Sequence, residues 1–238
     1  MSWNRSAHED FQQTETVRLP YTDRAEAGRV LAGRLAPMGL DGAAVLALPR
    51  GGVPVGFEIA RRLGSRLDVL VTRKIGYPPQ PELGVGAIAE GGVPVFDGEL
   101  LARLGLGEDD LARTVEAERA ELDRRVAVYR RGRPLPEIAA RPVIVVDDGL
   151  ATGGTARAAV RAMRERGPSR LVLAVPVGAA ETARSLEAEV DDLVVPAAPW
   201  EFRAVGQWYR DFDQLTDDDV IAWLDRAARA AGGGTGKG

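Results

Sequence analysis

The sequence contains no cysteine and only one histidine among its 238 residues. Without cysteine the chain has no disulfide, no cysteine zinc site and no thiol nucleophile. The single histidine, His8, lies in a polar stretch near the start of the chain. A Ser-His-Asp triad and a histidine-built metal site are therefore poor explanations of its function.

Long apolar runs and an excess of positive charge are also missing. No run approaches the ~20 apolar residues of a membrane-spanning helix, and the first residues lack an apolar signal region. We therefore expect a cytoplasmic protein without a membrane partner. The net charge of −4 argues against nucleic acid as an obligatory partner, since domains that bind it are usually basic. With 45% hydrophobic residues the chain can build a core, and its length fits one large α/β domain with additions or a domain with a small subdomain.

One stretch, residues 143–155, combines a strand, an acid pair and a loop of small residues. Its first four residues form a β-branched apolar run that is typical of a strand buried on both faces. Asp147 and Asp148 follow, and the loop ends in Thr-Gly-Gly-Thr before a helical apolar stripe. Backbone N–H groups in such a loop favour a phosphate, while the carboxylates suit sugar hydroxyls or a hydrated cation. The alternative is an ordinary turn from strand to helix with acids at the strand end.

Two further loops follow predicted strands. Arg50 and Gly51 come directly after the first of these strands and suit an anion-binding nest, although a plain turn fits the same residues. Arg73 and Lys74 end the next strand and precede a segment rich in proline and glycine, 75–84, which we predict to be a long, lid-like loop. Solvated basic residues are the alternative there. The alternation of strands and helices predicts an α/β fold with a doubly wound, mostly parallel sheet.

Two segments fall outside this alternation. Residues 98–133 are strongly helical, with acids at the start and arginines at the end, and predict a helical insertion. This insertion is solvent-exposed, forms a subunit interface, as in a homodimer, or faces a polyanion. Residues 197–231 predict an aromatic hood followed by a helix, in which Trp200 and Phe202 either anchor the core or stack on a planar base. The predicted organisation is a loose arm (1–20), a domain (21–231) and a flexible tail (232–238).

The strand, acid pair and loop of residues 143–155, Val-Ile-Val-Val-Asp-Asp-Gly-Leu-Ala-Thr-Gly-Gly-Thr, resemble the 5-phosphoribosyl-1-diphosphate (PRPP) motif of type I phosphoribosyltransferases. The resemblance implies transfer of the phosphoribosyl group of PRPP to a nitrogenous base, with Mg²⁺ as cofactor and pyrophosphate as the product released. It implies these roles: binding of the 5′-phosphate by Ala151, Thr152, Gly153, Gly154 and Thr155; binding of pyrophosphate by Arg50 and Gly51; binding of ribose and indirect contact with Mg²⁺ by Asp147 and Asp148; catalysis by these two acids with Arg73 and Lys74; and binding of the base by Trp200 and Phe202.

The acceptor base stays open at this point. Family members that act on 6-oxopurines carry a carboxylate where this chain has Ala151, and adenine enzymes have Ala-Thr-Gly-Gly-Thr like this chain. The aromatic hood and the helical insertion do not match adenine enzymes, and the chain is closer to a poorly characterised group known only as phosphoribosyltransferases. Two rival classes remain: a non-catalytic PRPP or nucleotide sensor on the same fold, and a phosphatase that uses Asp147 as nucleophile.

Overall fold

The computed structural model describes residues 17–232, which form eight strands and seven α-helices. The strands are β1 (Ala44–Ala47), β2 (Arg66–Val69), β3 (Thr72–Tyr77), β4 (Gln80–Ala89), β5 (Val95–Phe96), β6 (Pro142–Val146), β7 (Arg170–Ala174) and β8 (Asp192–Val194). The helices are α1 (Arg24–Leu35), α2 (Gly52–Leu63), α3 (Gly98–Leu104), α4 (Ala112–Arg130), α5 (Gly154–Arg164), α6 (Ala180–Glu187) and α7 (Asp217–Gly232).

Five of the strands form a central sheet in the order β2-β1-β6-β7-β8, and every neighbouring pair is parallel. Alternate residues along these strands point to opposite faces. Val45, Ile144 and Val172 pack against α1 and α2 on one face. The residues that follow them in sequence, Leu46, Val145 and Leu173, pack against α5 and α6 on the other. Helices on both faces of a parallel sheet confirm the predicted doubly wound α/β fold.

The other three strands form a separate antiparallel sheet in the order β3-β4-β5. The prediction of a long loop at 75–84 is therefore wrong, because this segment is a β-hairpin. Pro78 and Pro79 occupy its turn, where no N–H group is needed for strand pairing. Gly76 lets the two strands approach closely, since a Cβ there would lie 2.5 Å from the carbonyl oxygen of Pro81. Proline and glycine thus shape a hairpin here and do not prevent strand formation.

Helices α3 and α4 occupy the predicted insertion, and α4 packs on the hairpin and on α7. Leu111, Leu122 and Tyr129 are buried in that packing. Arg130 departs from the prediction of solvent-exposed charges at the helix end, because its side chain is only 1% exposed. Its guanidinium group pairs with Asp68 and Glu90, at the ends of β2 and β4. The insertion is therefore attached to both sheets through a buried charge cluster.

The chain after β8 returns to the first described residues of the protein. Tyr21 donates its backbone N–H to the carbonyl of Trp208 (2.9 Å) and accepts at its own carbonyl from Arg210 (2.8 Å). Thr216 then caps α7, accepting at its hydroxyl from the N–H of Asp219 at 3.2 Å. The predicted loose arm lies outside the described residues up to residue 16, as does the predicted flexible tail from 233 onward. Within residues 17–232, no helix is long and apolar enough to span a membrane.

Candidate active site

The strand order changes direction between β1 and β6, and the loops that follow these strands lie side by side. From β1 the sheet extends to β2 on one side, and to β6, β7 and β8 on the other. In doubly wound sheets such a switch point opens a crevice at the carboxyl ends of the strands, where ligands bind. The loops at this crevice are 49–51 and 147–153, the first with the predicted anion nest and the second with the acid pair.

Two glycines bring these loops into contact. A Cβ on Gly51 would lie 1.8 Å from Oδ2 of Asp148, so the loop backbone rests directly against that carboxylate. A Cβ on Gly52 would lie 2.6 Å from the carbonyl oxygen of Val146. Neither position tolerates a larger side chain without movement of the backbone. The two loops therefore form one continuous site.

The loop after the acid pair presents a row of free backbone donors. The N–H groups of residues 151–156 donate to no acceptor within residues 17–232. Gly153 makes this geometry accessible with a left-handed φ of 78° just before α5 begins. From α6, the hydroxyl of Thr182 donates to the carbonyl of Ala151 at 2.7 Å and so fixes the loop from outside. Free N–H groups at the positive end of a helix dipole form a suitable cradle for a phosphate.

The acid pair lies between this cradle and the 49–51 loop. The N–H of Asp148 donates to Oδ1 of Asp147 at 2.8 Å. Burial and the neighbouring Asp148 carboxylate raise the pKa of Asp147 well above its usual value. Burial also raises the pKa of Asp148, although Arg24, with Nε 2.8 Å from Oδ2, acts in the opposite direction. Two adjacent carboxylates in a partly buried crevice are therefore poised to accept hydrogen bonds or a positive charge.

Arg50 lies on the opposite side of the crevice, near the start of α7. The peptide bond that joins it to Pro49 is cis. Within residues 17–232 its side chain makes no hydrogen bond or salt bridge, and the backbone N–H groups of Arg50 and Gly51 have no acceptor. Its charge contributes to the lowered pKa of Asp219, for which hydrogen bonds from Thr216 are the main cause. A free guanidinium beside two free N–H groups suits a second anion.

Arg73 and Lys74 lie on β3, in the hairpin. Nε of Arg73 is 2.7 Å from Oε2 of Glu118 on α4, so this arginine is paired with the insertion. Nζ of Lys74 donates to the carbonyl of Glu82 across the hairpin at 3.1 Å, and its side chain is half-exposed. Lys74 is the only lysine among the described residues.

The two aromatic residues predicted to bind a base have different surroundings. Trp200 follows β8 and is 98% exposed. Phe202 is half-buried in the hood, where its ring stacks on Trp208 with 6.3 Å between centroids. Trp200 is therefore free to stack on a ligand, whereas Phe202 already contributes to packing.

Sequence reasoning assigned no role in the site to Arg24 or Tyr209. The Arg24 guanidinium contacts Asp148, and the hydroxyl of Tyr209 donates to the carbonyl of Asp148 at 2.5 Å. These residues come from opposite ends of the chain, and neither belongs to a motif. The only local signal is that Arg24 directly follows Asp23, which caps α1.

The acidic residues of the crevice limit the kind of metal site that the chain can provide. Among residues 17–232 there is no group of three or more His, Cys, Asp or Glu side chains able to hold a metal ion. Mg²⁺ commonly keeps several waters and binds through one or two carboxylates together with substrate phosphates. Asp147 and Asp148 fit that mode, in which a phosphorylated substrate supplies most of the ligands.

The fold and the site define a doubly wound domain with a phosphate cradle, an acid pair and an anion nest at one switch point. The family model described as "Phosphoribosyl transferase domain" matches residues 38–206. The chain therefore belongs to the phosphoribosyl transferase domain family, which is the family that the motif at 143–155 predicted.

Individual relatives agree with this assignment. A protein of Mycobacterium tuberculosis H37Rv, provisionally named a phosphoribosyl transferase (Rv0571c), is 46% identical over 209 residues, 88% of this chain and 47% of its own length. The chain thus spans about half the length of that relative. The crystal structure of TT1426 from Thermus thermophilus matches with a TM-score of 0.73 and 44% identity, covering 86% of this chain and 97% of that one. A uracil phosphoribosyltransferase of Lacticaseibacillus paracasei is 32% identical over 60% of this chain and 68% of its own.

Proposed function

We propose that this chain transfers the 5-phosphoribosyl group of PRPP to a nitrogenous base and releases pyrophosphate. The observation that carries the proposal is the pairing of two anion sites across one acid pair. Six free N–H groups at 151–156 stand on one side, and Arg50 with the N–H groups of Arg50 and Gly51 on the other. PRPP carries a phosphate at one end of its ribose and a diphosphate at the other. Its two charged groups would therefore face the two anion sites, with the ribose at the acid pair.

Each part of the site then has a defined role in holding PRPP. Ala151, Thr152, Gly153, Gly154 and Thr155 bind the 5′-phosphate through their N–H groups and the two hydroxyls. Asp147 and Asp148 accept hydrogen bonds from the 2′- and 3′-hydroxyls of the ribose. Arg50 and Gly51 bind the diphosphate. Fixing the ribose from both ends positions its reacting carbon for attack and reduces the entropic part of the barrier.

The bond to the diphosphate breaks as the base attacks, so negative charge grows on the leaving group. Donors that point at developing charge usually make the largest contribution to catalysis. Arg50 provides such a donor in its present position, and we assign Arg73 and Lys74 of the hairpin to the same task. Mg²⁺ would neutralise the diphosphate, with Asp147 and Asp148 contacting it indirectly, through ribose hydroxyls or water.

For the acceptor we propose a planar nitrogenous base that stacks on Trp200. The nearly complete exposure of this side chain supports that role, and Phe202 would line the same side of the hood. Ala151 lacks the carboxylate that serves the base in 6-oxopurine enzymes, which argues against a 6-oxopurine substrate. The same proposal treats residues 21–231 as one transferase domain, with 98–133 as an insertion and 197–231 as the hood and final helix.

Measurement of pyrophosphate release from PRPP and Mg²⁺, with a panel of purine and pyrimidine bases, tests this function. We expect release with one base or a few, and none from the Asp147→Asn, Asp148→Asn double variant. A matched control is Asp191→Asn, which alters an acid paired with Arg164 at the far end of the sheet. PRPP binding by calorimetry without release from any base would instead support the non-catalytic sensor. Absence of PRPP binding at millimolar concentration would refute both.

A further inference from the structure

Arg24 makes three different contacts at the edge of the crevice. Its Nε lies 2.8 Å from Oδ2 of Asp148, and Nη1 donates to the carbonyl of Asp213 at 3.0 Å. Its guanidinium carbon lies 3.9 Å from the centroid of the Phe212 ring, in cation–π geometry. The side chain is largely buried, with 11% exposed. A long, flexible side chain is thus held in one conformation by groups from two distant parts of the chain.

Three groups outside the motif at 143–155 contact Asp148. Arg24 pairs with its carboxylate, and the backbone of Gly51 rests against the same oxygen. The hydroxyl of Tyr209 donates to its carbonyl at 2.5 Å. Arg24 and Gly51 thus fix the position of Oδ2 and, with it, the orientation of the whole carboxylate.

We propose that Arg24 is a positioning residue, which holds the Asp148 carboxylate in the orientation that receives the ribose hydroxyls. This inference rests on the proposed function, because it concerns the same PRPP site. Arg24 does not need to touch the substrate. Arg24 also contacts Phe212 and Asp213 of the hood. The same side chain therefore supports the ribose site and the segment that contains the predicted base site.

The geometry requires an arginine. Only a planar guanidinium donates to Asp148 and Asp213 in different directions while its face lies on an aromatic ring. The ammonium group of a lysine would reach the carboxylate alone. Arg29 provides a matched control, because it lies on the same helix, is half-exposed and pairs loosely, at 3.8 Å, with Glu58 of α2.

The test compares two probes, ribose 5-phosphate and inorganic phosphate, by calorimetry with the full chain. Arg24→Met should weaken ribose 5-phosphate binding about 10- to 100-fold, by analogy with the loss of metal affinity when a group that orients a metal ligand is removed. Phosphate binding at 151–155 should not change, because Arg24 does not contact that loop. Arg24→Lys should restore part of the affinity, and Arg29→Met should bind both probes like the unmodified protein.

A double-mutant cycle decides whether Arg24 acts through Asp148. The Arg24→Met, Asp148→Asn double variant should bind ribose 5-phosphate no more weakly than Asp148→Asn alone. Additive losses would mean that Arg24 contacts the ligand directly, and tighter binding by Arg24→Met would mean that it blocks Asp148; either result overturns the inference. If Arg24→Met does not fold, the same cycle is measured with Arg24→Lys, and equal affinity of that variant and the unmodified protein is then the overturning result.

Failure of this inference is distinguishable from failure of the proposed function. If the unmodified chain binds neither PRPP nor ribose 5-phosphate, the proposed function is wrong. If it binds both and Arg24→Met binds them equally well, only the positioning role of Arg24 is wrong.

Discussion

Asp147 and Asp148 are binding residues whose buried charges destabilise the folded state. The two carboxylates are adjacent in a partly buried crevice, and burial raises the pKa of each. Asp148 has a compensating partner in Arg24, whereas the main contact of Asp147 is the N–H of Asp148. Asp147 is therefore the member of the pair whose ionised form is least well accommodated before a ligand binds.

Asp147→Asn should raise the melting temperature at neutral pH while it weakens PRPP binding. The folded state favours protonated Asp147 because its pKa is raised there, so the unfolded state gains relative stability as the pH rises above the usual value of ~4. Asparagine resembles the protonated acid and removes this destabilisation. The increase in melting temperature near pH 7 should shrink as the pH falls to about 4, where the aspartate is protonated in the folded state. Thermal unfolding followed by circular dichroism across this pH range measures the effect.

Asp191→Asn is a control in which the pKa shift, and therefore the expected change in melting temperature, has the opposite sign. Arg164 and the N–H of Leu171 hold the pKa of Asp191 below its usual value, so its ionised form stabilises the fold at neutral pH and that contribution is lost as the pH falls. This variant should melt at a lower temperature near neutral pH. A melting temperature of Asp147→Asn that differs from the unmodified protein by the same amount at every pH would contradict the assignment to ionisation.

At the scale of the element, local pattern predicted the central strands and the loops at their ends. β1, β6 and β7 are apolar runs between turn residues, so their positions depend on neighbouring sequence alone. The hairpin of β3 and β4 was missed because its proline and glycine residues also fit a loop. The antiparallel pairing of β3 with β4, with the close contact of Gly76 and Pro81, distinguishes the two. The burial of Arg130 was missed because its acidic partners are distant in sequence.

Arg130→Met should destabilise the fold by about 3–5 kcal/mol, because Asp68 and Glu90 would keep their charges without the buried partner. The loss should loosen the attachment of α4 to both sheets, since Arg130 pairs with Glu90 directly after β4 and donates to the carbonyl of Val69 on β2. Urea unfolding monitored by circular dichroism gives the free energy. The neighbouring Arg131→Met removes an exposed arginine 3.4 Å from Asp225 and should cost about 0–1 kcal/mol. Equal effects of the two substitutions would mean that the charge cluster does not attach the insertion.

At the scale of the whole molecule, the site joins segments from most of the chain. The 49–51 and 147–155 loops come from the sheet, and sequence alone predicted that both lie at the carboxyl ends of strands. Arg24 and Tyr209 come from α1 and from the hood, and they meet at Asp148 only because Tyr21 pairs with Trp208 and Arg210. No local pattern encodes that pairing, which depends on the path of the complete chain. The contacts of Arg24 and Tyr209 with Asp148 therefore could not be predicted from the sequence.

Because the two anion sites belong to different loops, ligands of different extent should protect different amides from hydrogen exchange. Inorganic phosphate should slow exchange at residues 151–156, whose N–H groups have no acceptor among residues 17–232. PRPP with Mg²⁺ should protect the same amides and, in addition, Arg50 and Gly51. The first turn of α3, on the insertion, should exchange equally fast in every condition and serves as the internal control. Protection of only one of the two loops by PRPP, or of neither, would contradict the arrangement of one phosphate and one diphosphate across the acid pair.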